Sequence, residues 1–366
     1  MKISVLYYPH REGHNSIFPL FAFGPTLKDA GFEIRFYNRT DTFQKTSADL
    51  LIISGISLQK ILAGKISSQQ FILECKAFNI PLIYLSGSDS TGPLDKNILS
   101  NVDSYLSRQL VTDRGLYNKQ HRRHHFREHV FQTHQFKNQE DFPLVSYSEE
   151  EIKKLGVYWN LGLIDWKTQT TNKALRYFYI FTKNNQFPFS QPVRPLSQRN
   201  LDFSFRGNLF KNTHDVSRFH RLKSYRVYQK LAKKFKTPTG GIVPHKEYMS
   251  EILNSKICIS PFGWGEVCYR DYEVLQAGTL LFKPKMEHLE TFPDFYKKEN
   301  MIFYDWDAVD LKEKIEAVLD NIKDYEAIAE QGRDSFLSYT SGPKAKLSFV
   351  SHFQKIVNEA LFNFNL

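Results

Sequence analysis

Short apolar runs alternate with amphipathic stretches from the first residues onward. Ile3–Tyr8 (ISVLYY), Glu33–Asn38 (EIRFYN) and Ala48–Gly55 (ADLLIISG) read as strands, the last a continuous apolar run bounded by turn residues. Phe23–Phe32 (FGPTLKDAGF) reads as a short helix ending at Gly31, and Ser67–Asn79 (SSQQFILECKAFN) as another. Ile80–Gly87 (IPLIYLSG) supplies a fourth strand and Val102–Val111 (VDSYLSRQLV) a fifth strand region. Alternation of this kind predicts a parallel sheet with helices on both faces. Ligands in such sheets bind beyond the carboxyl ends of the strands. The loops placed there are Pro9–Asn15 (PHREGHN), Ser54–Gln59 (SGISLQ) and Ser86–Asp95 (SGSDSTGPLD).

The second half starts the pattern again. Leu201–Asn208 (LDFSFRGN) is a strand running into a glycine turn, and Asp215–Phe235 is a helix. Tyr248–Ser255 (YMSEILNS) is a helix and Lys256–Gly263 (KICISPFG) a strand. Tyr269–Gly278 (YRDYEVLQAG) reads as a helix closed by a glycine cap, followed by strands at Thr279–Pro284 and Met301–Trp306. Asp310–Ile322 is a helix with Leu311, Ile315, Val318 and Ile322 on one face and an Asp at its start. The last stretch places Leu347, Val350, Phe353, Val357, Ala360 and Leu361 at helical spacing, which predicts a long amphipathic helix.

Two such units fit the 366-residue length, since cores seldom grow past roughly 250–300 residues before splitting. The fold class is therefore α/β, with two Rossmann-like doubly wound domains. The expected divisions are an N-terminal domain at 1–165, a linker at 166–200 carrying Pro188, Pro192 and Pro195, and a C-terminal domain at 201–340. A closing helix is expected at 341–366.

Within the first domain, 118–142 is a His- and Arg-rich insertion. His121, His124, His125, His129 and His134 fall within it, but no acidic ligand set accompanies them, so it reads as a basic exposed insertion near an acceptor or a membrane.

Lys and Arg outnumber Asp and Glu by 49 to 39, a net charge of +10 that favours anionic partners. Three cysteines, Cys75, Cys258 and Cys268, are scattered without metal spacing and imply neither a disulfide framework nor a zinc site. The opening residues are too short and polar for a signal peptide, and no apolar run reaches the ~18 residues of a membrane span. A cytoplasmic location is expected.

The richest chemistry lies in Ser260–Pro284 (SPFGWGEVCYRDYEVLQAGTLLFKP). The loop Gly263-Trp264-Gly265 brings the helix start to the carboxyl edge of the sheet, where free N–H groups and the helix dipole favour an anion. Arg270 suits a bidentate contact with phosphate. Glu273, one turn on, can accept hydrogen bonds from vicinal hydroxyls such as those of a ribose. A surface pair between Arg270 and Glu273, three residues apart, is the plainer alternative.

EVLQAGTLLFKP resembles the glutamate-to-glycine segment of GT-B glycosyltransferases, and YRDYE is similar to the arginine-three-before-glutamate form of exostosin-like and group-one members. FSFRGN and YMSEILNSKICISPFGWG resemble the first strand–glycine loop and the helix–strand segment of that family's nucleotide-binding domain. The resemblance spans about residues 200–325. It implies a GT-B architecture, two domains facing a cleft with the final helix crossing back onto the first. It also implies transfer of a sugar from a nucleotide-diphosphate donor to a hydroxyl of a glycan or glycolipid.

By the resemblance, Glu273 binds the donor ribose and Arg270 its diphosphate, with Arg206 and Gly207 beside the phosphates. Arg218 and Arg221 are further phosphate candidates, and Gly265 and Glu266 join the donor set. Glu266 and Glu273 have six residues between them where retaining group-one members usually carry seven, so the stereochemical outcome stays open.

An acceptor-side base is sought in the N-terminal loops. Asp89, flanked by glycines, and its rivals His10 and His14 are the catalytic candidates. Asp305 and Asp307 have Asp-x-Asp spacing but read as a helix-capping loop, so neither a metal nor any cofactor is expected. No Gly-x-Gly-x-x-Gly follows a strand, which argues against a dinucleotide enzyme.

The expected partners are a nucleotide-diphosphate sugar and a glycan or glycolipid acceptor in polysaccharide biosynthesis. Peripheral association with an anionic membrane at its inner face is expected, and no nucleic acid. The alternative is a non-catalytic nucleotide or nucleic-acid binding protein using His121–His129 as a phosphate-contacting arm, although histidines are mostly neutral at pH 7.

Overall fold

The computed structural model describes residues 1–365 except 45–46, 57, 122–124, 126–127, 130–132, 134–143, 170–171, 182–186, 188–191, 210–215 and 239–240. Two parallel sheets organise the chain. The first has six strands in the order β2-β1-β3-β4-β5-β7: β1 (Lys2–Leu6), β2 (Glu33–Tyr37), β3 (Leu50–Ser54), β4 (Leu82–Leu85), β5 (Ser104–Ser107) and β7 (Leu155–Val157). The second runs β12-β10-β9-β8, with β8 (Leu201–Ser204), β9 (Ser255–Ile259), β10 (Leu280–Pro284) and β12 (Ile302–Tyr304). Every pairing within them is parallel, and the inner strands β3, β4 and β10 are buried on both faces.

The closing helix, Gly342–Phe364, leaves the second unit and packs on the first, as expected of a GT-B chain. Its Phe349 stacks on Phe23 and its Phe353 meets Phe32 edge-on, in one cluster with Ile3, Ile52, Ile83 and Trp159. Its buried set is Ala345, Phe349, Phe353, Ile356, Val357 and Ala360, whereas Leu347, placed in the apolar stripe by spacing, is 70 % exposed. Leu347 lies six residues before Phe353, about 240° around the helix, so the two cannot share a face.

Three elements depart from the sequence expectation. The stretch read as a loop after β1 is mostly helix, Arg11–Ala22, because His10 caps it: the imidazole Nδ1 accepts from the Gly13 N–H at 3.2 Å. The stretch read as a polar linker contains the helix Lys173–Phe181.

The fifth strand region splits at Arg108. β5 stays in the parallel sheet, while β6 (Gln109–Val111) turns away and pairs antiparallel with β11 (Leu289–Thr291) of the second half. Such long-range pairing leaves no periodic trace in the sequence. It ties the two halves together and sets Arg108 and Gln109, both buried, at the junction between them.

Among the described residues no helix is long and apolar enough to cross a membrane. His124 and His134 lie outside the described residues.

Candidate active site in the inter-domain crevice

The loop leaving β9 presses directly on the N-terminal half. A Cβ at Gly265 would lie 1.4 Å from the backbone oxygen of Asp89, so only glycine permits the approach. A Cβ at Gly263 would meet Arg221 Nη2 at 2.6 Å. Next to this contact Glu266 is fully buried. Its carboxylate accepts from the Thr91 hydroxyl at 2.9 Å and the Gln109 amide at 2.7 Å, both from the first half, and His288 Nε2 lies 4.0 Å away. Burying a carboxylate is tolerable only with such partners. The two loops singled out by sequence, 86–95 and 260–268, are thus brought into one junction, with Glu266 as a tie across it.

The helix Tyr269–Gln276 starts at this junction. Its first turn is held by Asp271, which accepts from the Cys268 N–H at 3.1 Å, the Ser260 hydroxyl at 2.6 Å and the Tyr296 hydroxyl at 2.8 Å. Lys283 of β10 completes the set with Nζ 2.8 Å from Asp271, both side chains fully buried. The ammonium also lies over the rings of Phe262 and Tyr296, at 5.5 and 5.9 Å. Sequence reading missed this pair. The available signals were a lysine inside an otherwise apolar strand and an acid at the third position of a helix, where it can cap the N-terminus.

Arg270 and Arg221 both reach the backbone that follows β8, at Arg206 and Asn208. Arg270 is half-buried, one Nη donates to the Arg206 backbone oxygen, and its Nε is buried without a hydrogen-bond partner. Arg221, from the helix Val216–Leu231, donates to the Asn208 backbone oxygen at 2.9 Å and that of Phe262 at 3.3 Å. Burial, together with the neighbouring Arg270 charge, pulls the Arg221 pKa down to about 10. A Cβ at Gly207 would touch the Phe205 ring at 3.4 Å and lie 3.9 Å from Arg270 Nη2.

Arg206 is engaged otherwise: its guanidinium grips Glu251, with Nε–Oε2 at 2.8 Å, and reaches the Gly241 oxygen at 2.6 Å. Arg218 sits half-buried one turn before Arg221. Glu273 is 8 % exposed and accepts from Tyr248 OH at 2.8 Å, with His245 Nε2 at 3.3 Å. The hydrogen bond to Glu273 raises the His245 pKa. A carboxylate with one partner on each oxygen keeps lone pairs for further donors.

Across the crevice, the Asp89 carboxylate is 59 % exposed and receives Arg108 Nη1 at 3.0 Å. Gln109 donates to the Asp89 backbone oxygen at 3.0 Å, so one side chain holds both Asp89 and Glu266. Tyr269 faces this group: burial raises its pKa, and Arg108, Asp89, Arg11 and Glu12 all act on it. His10 Nε2 lies 3.4 Å from Glu12, and burial lowers its pKa.

His14 lies apart in the interior. It is 1 % exposed, stacked on Phe21, with Nε2 3.3 Å from an equally buried Asp165. Of the insertion histidines, His125 and His129 approach Trp306 at 6.4 and 5.0 Å, and His125 approaches His288 at 5.6 Å. Among the described residues no group of three His, Cys, Asp or Glu has the geometry to hold a metal ion. Asp305 pairs with Lys285 at 2.6 Å, and Asp307 accepts the Val309 N–H at 3.3 Å.

Residues 191–342 match the family described as glycosyl transferase-like. They contain β8 to β12 and the helix bearing Arg270 and Glu273, so the resemblance to GT-B glycosyltransferases is borne out over this part. These residues form a glycosyl transferase-like domain, and the match does not single out the exostosin-like form.

No curated protein matches the chain by sequence. Among solved structures, the chain is similar to an alpha-glucosyltransferase in complex with UDP, at 13 % identity over 98 % of this chain and 100 % of that one, with a TM-score of 0.46. It is also similar to HepE from Anabaena in complex with UDP and glucose, at 10 % identity over 98 % and 99 %, with a TM-score of 0.45. Sucrose-phosphate synthase from Thermosynechococcus elongatus stands at the same identity, coverage and score.

Proposed function

We propose that the protein moves a sugar from a nucleoside-diphosphate donor to a hydroxyl of a glycan or glycolipid, using protein cations in place of a metal ion. The observation that carries this reading is that Arg270, at the start of a helix, and Arg221, from a second helix, both reach the backbone that follows β8, where a Cβ at Gly207 would lie 3.9 Å from Arg270 Nη2. Neighbouring guanidiniums repel, and a bound diphosphate relieves that repulsion. The buried Arg270 Nε, without a partner, has a donor to offer an anion.

In this reading Glu273 takes the ribose hydroxyls through its remaining lone pairs. As the anomeric carbon–oxygen bond breaks, the diphosphate leaves with the electron pair, and Arg270, Arg221 and the helix dipole stabilise the charge that grows on it. Asp89, exposed and held by Arg108, accepts the proton of the acceptor hydroxyl as the new carbon–oxygen bond forms. His14 serves as a packing residue, since its imidazole is enclosed on Asp165. Glu266 serves to lock the two loops rather than to touch the donor. The units that carry this division of labour are 1–165, 166–200, 201–340 and 341–366.

A thermal-shift panel of nucleotides and nucleotide sugars tests the reading, because a ligand that binds only the folded state raises its melting point by mass action. A shift with one diphosphate nucleotide that is lost in Glu273→Ala supports it. A flat response across uridine, guanosine, adenosine and thymidine diphosphates and their sugars would end it.

A further inference from the structure

We propose that the helix Lys173–Phe181 is a docking face for an anionic lipid surface. The helix is amphipathic in an inverted sense. Ile180 is buried and anchors it, while Ala174, Tyr177, Phe178 and Phe181, at i, i+3, i+4 and i+7, all point outward. Tyr177 is 52 %, Phe178 60 % and Phe181 66 % exposed, and Leu175 beside them 44 %. The rings of Tyr177 and Phe181 are stacked at 6.4 Å, so the face is continuous.

Large exposed aromatic patches mark interaction sites. The fold had an apolar home to offer nearby: Phe187, a little further along, packs on Phe18 and Phe23. The helix instead turns its rings to the outside.

The charge around this face selects the occupant. From Trp166 to Leu201 the chain contains no Asp or Glu, while Lys167, Lys173, Arg176, Lys183, Arg194 and Arg199 are cationic. Arg199 is committed to backbone oxygens inside the second unit, but Lys173 and Arg194 are exposed. Lys167 Nζ lies over the ring of Tyr179 at 6.0 Å. An acid-free basic segment around outward Tyr and Phe suits the headgroup layer of an anionic bilayer, where amphipathic rings enter the interface and cations meet lipid phosphates. The inference is independent of the donor site, which lies on other elements.

The test is sedimentation of the full chain with vesicles of phosphatidylcholine alone, or containing about one-third phosphatidylglycerol. The expected result is binding to the anionic vesicles only, weakened by added salt. The double variant Phe178→Glu/Phe181→Glu should lower the bound-to-free ratio by about tenfold or more. Lys173→Glu should lower it by a smaller factor, and both variants should keep the wild-type melting point and nucleotide binding. Wild-type protein that stays in the supernatant with anionic vesicles overturns the proposal. So does a double variant that sediments as the wild type does. A wild-type dimer that the double variant converts to monomer, with no vesicle binding by either, would assign the face to a second copy and overturn it as well.

Discussion

On the C-terminal side of the junction, the charged side chains stand on helices that follow parallel strands. Arg270 and Glu273 share one helix, and Arg221, from another, reaches the backbone oxygens of Asn208 and Phe262. On the N-terminal face the candidates separate by depth: Asp89 is open to the crevice, His10 is a helix cap, and His14 is sealed inside. The difference follows from what each face must do. A donor diphosphate calls for several preset cations and a helix dipole, which a strand–loop–helix unit provides from nearby sequence. Receiving one proton calls for a single accessible base, which any loop can supply.

The largest expected effect lies beneath the donor face. Lys283→Ala strands the fully buried Asp271 without its cation and should cost ~3–5 kcal/mol, read as a drop in melting point. An unchanged melting point would mean that the helix start does not depend on this pair. Next, Asp89→Asn should reduce turnover by about 10²-fold or more while leaving nucleotide affinity intact. His14→Gln, by contrast, should act on stability. The reverse outcome would move the base from Asp89 to the buried dyad and erase the depth distinction.

A smaller effect separates the two kinds of arginine on the donor face. Arg270→Ala should weaken nucleotide binding about tenfold or more through lost charge-assisted hydrogen bonds of ~1.5–3 kcal/mol. Arg206→Ala should mainly lower stability, since that guanidinium is already bound to Glu251.

A further expected change is in pH dependence. Burial, together with His125 and His129, depresses His288 to about 3. Its folded-state value lies below its unfolded one, so its contribution to stability is full above about pH 6.5 and is lost as pH falls toward 3. His288→Gln should flatten that acid limb in thermal melts taken across pH. A limb of the same slope would show that other groups carry it.

Legibility in the sequence followed the same divide. The parallel strands, the helix at Tyr269 and its cap, Gly278 at φ +58°, were readable because apolar runs and glycine caps are local signals. The co-location of Arg270, Arg221 and Gly207 followed from their places just after strands or in the facing helix.

Two helices were hidden. Arg11–Ala22 opens with charged residues and contains Pro19, and Lys173–Phe181 turns its rings outward and sits among polar residues. Contacts between distant segments left no local trace: the β6–β11 ribbon and the Glu266 tie to Thr91 and Gln109. The family resemblance groups Glu266 with the donor set although its spacing from Glu273 departs from the family's, and only its neighbours show the first domain reaching for it.

The most direct test of the central claim is a calorimetric titration of nucleoside diphosphates into the wild type, Arg270→Ala and Glu273→Ala. The account predicts measurable wild-type binding of one nucleotide, weakened about tenfold or more in each variant, with melting points little changed. Equal affinity in all three proteins would contradict it.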